Sequence, residues 1–578
     1  MASKTPSYDA KVKVTLDATT PGLRKCEMTG EEWMMDEEEI SWYKKFNVPP
    51  SPFSPKVRVW HMTNFFAVYQ WWWNKHPETG EPVLSYVHPA SKINVLPDKE
   101  WFTKDFSSLG TSIDLGRPFL EQFRELQLTV PINATRNFID PENSIATVSL
   151  GDRNGYFVSA SQSEDCFYLL DTQFGTRTMD SNAGINVTDC YHVNHSLRIH
   201  GSKFIYESRD CMNSAFLFDC RNCEFCFGAT NKRNAKYVFF NEQLTKEEWE
   251  KRVAAIDLGS YQQMTAAFER FTKLIREEAI WPQNFNEGSE DCLGEYLIKC
   301  SDLKHCLYGI ESHGGYYCYG LYNANNNAFS CAIPGDHNYQ CGPVGHTANS
   351  KFSCTLVRSD NLEYSMNCYD CSDCFGCVGL RRKKFCIFNI QYSEEEYWQR
   401  VDELKCAMLE RGEYGRPFPI NFGLNYYPES GPVVYFGASL DDWDRVGRER
   451  FEASTDGAFG PLSLDDPRIR EVDQLPDHIN DLDEAEWVGK PLADRTINRP
   501  FAFTKAEVEY LKRFNIAAPR RHFTARMHDL LFSMSSGPFE TRTCTACNKQ
   551  IVTSTNRTYP ERNVHCNACY LKFLEERG

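Results

Sequence analysis

Four cysteines near the C-terminus, Cys544-x2-Cys547 and Cys566-x2-Cys569, have the separation at which two knuckles present four thiolates to one cation. Zinc is the usual occupant of such a tetrahedral sulfur site, so the expected load is one zinc per chain. Four protein thiolates leave no position for water. The metal is therefore expected to be structural, with its binding energy appearing as folding energy. Nothing nominates a catalytic group. There is no P-loop or dinucleotide fingerprint, and His195, His200, His313 and His337 have no Ser or Cys partner at a spacing that implies a triad.

Two further sets of thiols stand at C-x2-C-x2-C spacing: Cys220, Cys223 and Cys226, and Cys371, Cys374 and Cys377. They could hold metals or clusters, but no consistent fourth ligand accompanies them. Single cysteines are also scattered through the same strand-rich regions, in polar dipeptides such as Asp165-Cys166, Asp189-Cys190 and Asp210-Cys211. This favours a buried ladder in which small, polarisable side chains stack from one coil to the next.

The elements carrying these triplets are duplicated. DCRNCEFCFGATNKRNAKYVFFNEQLTKEEWEKRV at 219–253 returns as DCSDCFGCVGLRRKKFCIFNIQYSEEEYWQRV at 370–401. Aligned on the triplets, Cys371, Cys374 and Cys377 answer to Cys220, Cys223 and Cys226, and Gly379 to Gly228. A three-residue loop difference then brings Asn389, Gln391 and Val401 against Asn241, Gln243 and Val253. SEDC precedes each run, at Ser163 and at Ser289. A second repeat brackets the first: EEEISWYKKF and KAEVEYLKRF open with Asp36/Glu39 and Thr504/Glu507 capping pairs and end in Phe46-Asn47-Val48 and Phe514-Asn515-Ile516. Where the C-terminal copy has its four cysteines, the N-terminal copy reads His76, Thr79, Pro97 and Glu100. Cys26-Glu-Met-Thr-Gly looks like another half-knuckle without its partner. Burial of Trp60, Phe65, Phe66, Trp71, Trp72, Trp73 and Trp101 is expected to hold that module instead.

The fold expected is mainly β: two Cys-rich β-solenoid, parallel β-helix-like segments with helical caps, flanked by α+β zinc-ribbon-like modules at both ends. The boundaries are an aromatic-rich degenerate ribbon at 1–110, a connecting helix at 111–141 and a first solenoid run with capping helix at 142–256. A helical connector follows at 257–288, then a second run with its capping helix at 289–404, with one or two extra coils. An acidic irregular segment spans 405–498, kept from being a plain linker by Trp443, Phe451, Phe459 and Trp487, and a helix plus zinc ribbon closes the chain at 499–578. Thr245/Glu248 and Ser393/Glu396 open the two capping helices.

Twenty-four cysteines, no apolar core in MASKTPSYDAKVKV and no long apolar run point to an intracellular, unsecreted chain, cytoplasmic or virion-associated. A net charge of −16 argues against whole-surface affinity for nucleic acid. The last 78 residues, with 12 Lys/Arg against 7 Asp/Glu, are locally basic, and Arg520, Arg521, Arg526, Arg542, Arg557 and Arg562 are candidates for phosphate contact. Docking of this module on the acidic body of its own chain explains both charge asymmetries together.

Arg117-Pro-Phe-Leu-Glu-Gln-Phe, Glu142-Asn-Ser, and the CFGC-V-G-L and CIFN-x-Q-Y-S-x-E-E-Y segments resemble a family of uncharacterised Cys-rich repeat proteins. These are similar to chains of uncultivated small-genome bacteria and large DNA viruses. The resemblance implies paired Cys-rich repeat domains flanked by ribbon modules and carries no activity. The expected function is a non-enzymatic structural or interaction scaffold with a protein partner or self-assembly, a virion or assembly component being one version. Two alternatives stand beside it: a glycan-binding or glycan-cleaving solenoid, and nucleic-acid binding through the ribbon.

Overall fold

In the computed structural model, residues 3–442, 444–445 and 464–577 are described. The chain is mainly β, 33% strand against 27% helix, and most strands lie in large parallel sheets. It divides into two compact units, and the chain passes between them repeatedly. One unit is Met1–Ala134, Asn284–Phe451 and Ser536–Phe539; the other is Thr135–Gln283, Glu452–Ser535 and Glu540–Gly578. Each unit therefore contains one Cys-rich run and one terminal module.

In the unit built on the first run, strands alternate between a ten-stranded and a five-stranded sheet. Pairing is parallel up to the last strand and, after eleven-residue steps from Tyr156 to Phe167 and from Gln162 to Gln173, advances twelve residues at a time. Phe167 faces Met179, then Tyr191, Lys203, Ala215, Phe227 and Phe239 in succession. Within each twelve-residue rung the conformation repeats every three residues. From Asn186 to Phe240 every third residue has positive φ, and from Val187 to Ala229 the residue that follows it is buried. Val187, Cys190, Val193, Ser196, Ile199, Ser202, Ile205, Ser208 and Cys211 are all buried in this series.

A left-handed φ costs a residue other than glycine or asparagine about 1 kcal/mol. Stacking of the same positions on successive rungs offsets this. Phe204 and Phe216 stack at 4.6 Å, Arg177 is bidentate to Asp189 at 2.6 and 3.0 Å, and Asn222 donates to Asn234 at 2.7 Å.

The other unit follows the same rule around the second run. Phe352 stacks on Tyr364 at 4.8 Å, and Arg358 pairs with Asp370 at 2.6 Å. Most steps are of twelve residues, but Leu293 faces Lys304 and Asn325 faces Asp336 at eleven. Seven steps separate Cys292 from Cys374, where five separate Cys166 from Cys226, so the second run has two more rungs.

The final rungs correct the alignment of the repeats. Val238 pairs antiparallel with Gln243, and Cys386 with Gln391. One rung earlier, Phe227 faces Phe239 and Phe375 faces Ile387. The offset is a constant 148, so Cys220, Cys223 and Cys226 correspond to Cys368, Cys371 and Cys374, and Gly228 to Gly376. The three-residue loop difference disappears. Three residues are one conformational period, which is why a shifted alignment of cysteines looked equally good.

Each run ends in a helix. Lys246–Ala254 and Glu394–Glu410 are capped by Thr245 and Ser393, whose hydroxyls accept from Glu248 and Glu396 N–H, both at 3.3 Å. Trp249 Nε1 donates to Val238 O at 3.1 Å, and Tyr397 packs on Phe385, so each helix covers the last rung of its own run. Helices Glu37–Phe46 and Lys505–Phe514 occupy the segments expected, both stopped by left-handed Asn47 and Asn515.

Three departures from expectation have physical reasons. Trp72 is buried, but Trp73 is 52% exposed because alternate residues of the strand Trp72–Lys75 face opposite ways. The connector contains the helix Tyr261–Glu277 and then a strand, Ile280–Pro282, whose partner is nearly three hundred residues away at Asn563–His565. The acidic segment supplies two strands, Arg470–Glu471 and Leu492–Asp494, of a three-stranded sheet completed by Arg499–Phe501 of the last module. Trp487 is buried, while Trp443, Phe451 and Phe459 lie outside the described residues. Among the described residues, no helix is long and apolar enough to cross a membrane.

Candidate metal centre

The hairpin Ser535–Thr543 and Gln550–Asn556 supplies the first pair of thiols at its tip. Cys544 N–H donates to Lys549 O at 2.8 Å and Asn548 N–H to Cys544 O at 2.9 Å, a tight turn that needs the left-handed φ of 61° at Asn548. The second pair flanks the start of the helix Asn567–Arg577. Cys566 N–H points at Cys544 Sγ at 3.2 Å, and Cys547 Sγ lies 3.8 Å from Cys566 Sγ. The four sulfurs of Cys544, Cys547, Cys566 and Cys569 all lie within 4.8 Å of one another.

Four sulfurs at about 2.3 Å from one ion would stand about 3.8 Å apart. The residues present thus fit a metal ion. Burial pushes the Cys544 thiol up, but N–H groups of Cys566, Cys547 and Ala546 more than offset this and bring it down to about 6. Cys569, crowded by Cys566, Cys547 and Cys544, is pushed up to about 12. A cation between them would remove that conflict by stabilising every thiolate.

The residue after Cys569 ties this module to the first Cys-rich run. Tyr570 O–H donates to the buried carboxylate of Asp219, and Arg233 Nη2 donates to the Tyr570 hydroxyl at 3.0 Å. Arg233 also meets Asp219 at 3.2 Å, and Asn231 donates to it at 2.8 Å. Strand Asn563–His565, immediately before Cys566, pairs in parallel with Ile280–Pro282. Sequence reasoning missed Tyr570, Asp219 and Arg233. The one signal available was the recurrence of Arg233 as Arg381 under the correct offset of 148.

The N-terminal module repeats the turn without the ligands. His76 N–H donates to Glu81 O at 2.8 Å and Gly80 N–H to His76 O at 2.9 Å; Cys26 N–H donates to Glu31 O and Gly30 N–H to Cys26 O, both at 2.8 Å. His76 and Glu100, at two ligand positions of the C-terminal copy, contact each other directly, Nε2 to Oε2 at 2.8 Å. His76 Nδ1 accepts from Glu78 and Thr79 N–H, which leaves the proton on Nε2 for Glu100.

Cys220, Cys223 and Cys226, like Cys371, Cys374 and Cys377, line the interiors of the runs. Their sulfurs donate to main-chain carbonyls. Cys220 Sγ lies 3.5 Å from both Phe218 O and Ala229 O, and Cys377 Sγ lies 3.5 and 3.4 Å from Phe375 O and Cys386 O. Serine does the same at equivalent positions. Ser208 Oγ donates to Tyr206 O at 2.8 Å and accepts from Cys220 N–H at 3.0 Å. The thiols are thus hydrogen-bonding core residues as well as apolar filler, and burial pushes Cys166, Cys190 and Cys341 up to about 12. Among the described residues, only Cys544, Cys547, Cys566 and Cys569 bring three or more His, Cys, Asp or Glu ligand atoms within metal-binding distance.

The arginines nominated for phosphate contact are engaged with their own unit. Arg526 is buried and bidentate to Asp180 at 2.8 and 2.9 Å, so its nomination is corrected. Arg521 pairs with Asp529. Arg520 lies over the Tyr261 ring at 4.1 Å and donates to Leu475 O.

No protein-family model matches this chain, and no curated protein matches it.

Proposed function

We propose that the chain is a structural or interaction scaffold without enzymatic activity. In this reading each Cys-rich run is a β-solenoid wound in twelve-residue coils about 4.8 Å apart. Parallel pairing at i and i+12, with strands alternating between two sheets and every third residue inward, supports it. The ion at Cys544, Cys547, Cys566 and Cys569 is zinc, and it is structural.

The observation that carries this reading is the closed thiol set whose next residue, Tyr570, binds Asp219 of the run. Four thiolates leave a metal no open position for substrate, so the gain from binding it is folding energy. Cobalt substitution with thermal unfolding tests the proposal. The expected result is the visible spectrum of tetrahedral, all-sulfur cobalt, unchanged by added small anions, and a melting temperature that falls when metal is removed. An exchangeable fifth or fourth ligand, or unfolding indifferent to metal, would count against it.

A further inference from the structure

We infer that the metal centre is a latch: metal holds the C-terminal ribbon on the first Cys-rich run, while the N-terminal ribbon stays on the second run without any metal. The inference rests on the metal reading of the four-cysteine centre.

The two ribbons are equivalent residue by residue. At offsets of 468 and 469, His76 and Thr79 correspond to Cys544 and Cys547, Pro97 and Glu100 to Cys566 and Cys569, and Trp101 to Tyr570. At the offset of 148, Arg233 and Asp219 correspond to Arg381 and Asn367. In each unit, therefore, an aromatic residue just past the second knuckle meets the same arginine of its run.

What surrounds that aromatic residue differs. Trp101 is fully buried, donates from Nε1 to Pro131 O at 2.9 Å, and packs on Tyr369 and Phe106. Arg381 lies 5.6 Å over its ring and donates to Lys104 O. The His76–Glu100 hydrogen bond already joins the two knuckles. Apolar burial and direct side-chain contacts hold this ribbon.

The C-terminal helix Asn567–Arg577 has one buried residue, Tyr570, and it is held there by polar contacts to Asp219 and Arg233. An eleven-residue helix is marginal on its own in water. Its start meets the hairpin through the thiols of Cys566 and Cys569 and the turn around Thr545, whose N–H donates to Val564 O at 3.0 Å, with Arg562 Nη2 donating to Ser554 O just upstream. Without metal, four crowded thiols replace a four-bonded centre. The helix and the strand Asn563–His565 then lose what aligns them with Asp219 and with Ile280–Pro282. Cys547 is exposed, so a chelator has access.

Amide hydrogen exchange of the full-length protein tests this, with a zinc chelator and then with zinc restored, and with bound metal measured in the same samples. Chelation is expected to speed exchange at least about tenfold at 563–577 and 280–282, to leave 72–101 unchanged, and to be reversed by zinc. Tyr570→Phe should keep its zinc and still exchange faster at 567–577. Metal removed with exchange unchanged, or both ribbons loosened alike, overturns the latch alone. A protein that neither contains metal nor takes up added zinc overturns the metal reading, and the latch with it.

Discussion

Arg526 and Asp180 form a bidentate ion pair, both side chains buried, between the helix Phe523–Ser533 and the ten-stranded sheet of the first run. The charge on Arg526 is held high by Asp180 despite burial. Removing one partner leaves the other charge buried and uncompensated, which costs about 3–5 kcal/mol. Arg526→Met is expected to lower stability by that amount, and the double substitution Arg526→Met/Asp180→Leu to recover most of it. Urea unfolding of the wild type, Arg526→Met, Asp180→Leu and the double variant measures the coupling. Additive losses would show that the pair is not an energetic unit.

Glu507 gives the protein a pH dependence of unusual sign. Its carboxyl is pushed up to about 7 by burial and further by Asp180, against the lowering effects of Arg526, the Thr504 N–H and the Tyr168 hydroxyl. An unfolded glutamate titrates near 4.3, so between that value and about 7 the folded state holds the extra proton. This term therefore loses stability as pH rises through that window, by about 4 kcal/mol at most. His61 and His192, pushed down to about 4 by burial, act in the opposite direction, losing stability as pH falls from about 6.5 to 4. Only a difference curve isolates Glu507. Glu507→Gln should match the wild type at about pH 4 and exceed it at pH 8; parallel curves would refute the assignment.

The ladder of thiols makes a graded prediction. Cys220 sits one rung beyond Ser208 and makes the same contact to the carbonyl two residues back. Cys220→Ser is expected to change stability by no more than about 1 kcal/mol, whereas Cys220→Leu, forced into a fully packed position, should cost about 1–3 kcal/mol or more. Neither should alter bound metal. Chemical denaturation with elemental analysis would check both, and metal lost with Cys220→Ser would contradict the core role.

The interleaved composition of the units bears on fragments. Residues 135–283 carry Asp180 and Asp219, but their partners Arg526 and Tyr570 belong to 452–535 and 540–578. A fragment of 135–283 alone is expected to show no cooperative thermal transition, and to gain one when 452–578 is supplied in trans. A sharp transition from the isolated fragment would contradict this.

Much of this was legible in the chain. The capping pairs at Asp36, Thr245, Ser393 and Thr504 placed four helices, since a hydroxyl or carboxylate accepting an N–H three residues on is a local signal. The spacing of Cys544, Cys547, Cys566 and Cys569 nominated the cluster because metal ligation demands it. The period of three was present in C-x2-C-x2-C but has a metal-binding look-alike. Only the hydrogen bonds of Ser208 and Cys220 show that serine and cysteine are interchangeable there. Tyr570 with Asp219, and Ile280–Pro282 with Asn563–His565, are contacts between residues hundreds apart, which no local pattern encodes.

The central claim is one metal, bound by four named thiols and by nothing else in the chain. Metal content per chain, in the wild type and in Cys566→Ser/Cys569→Ser, tests it most directly. One zinc in the wild type and none in the variant is the predicted result. Two or more metals, with some surviving the substitution, would contradict the account and place metal chemistry in the Cys-rich runs.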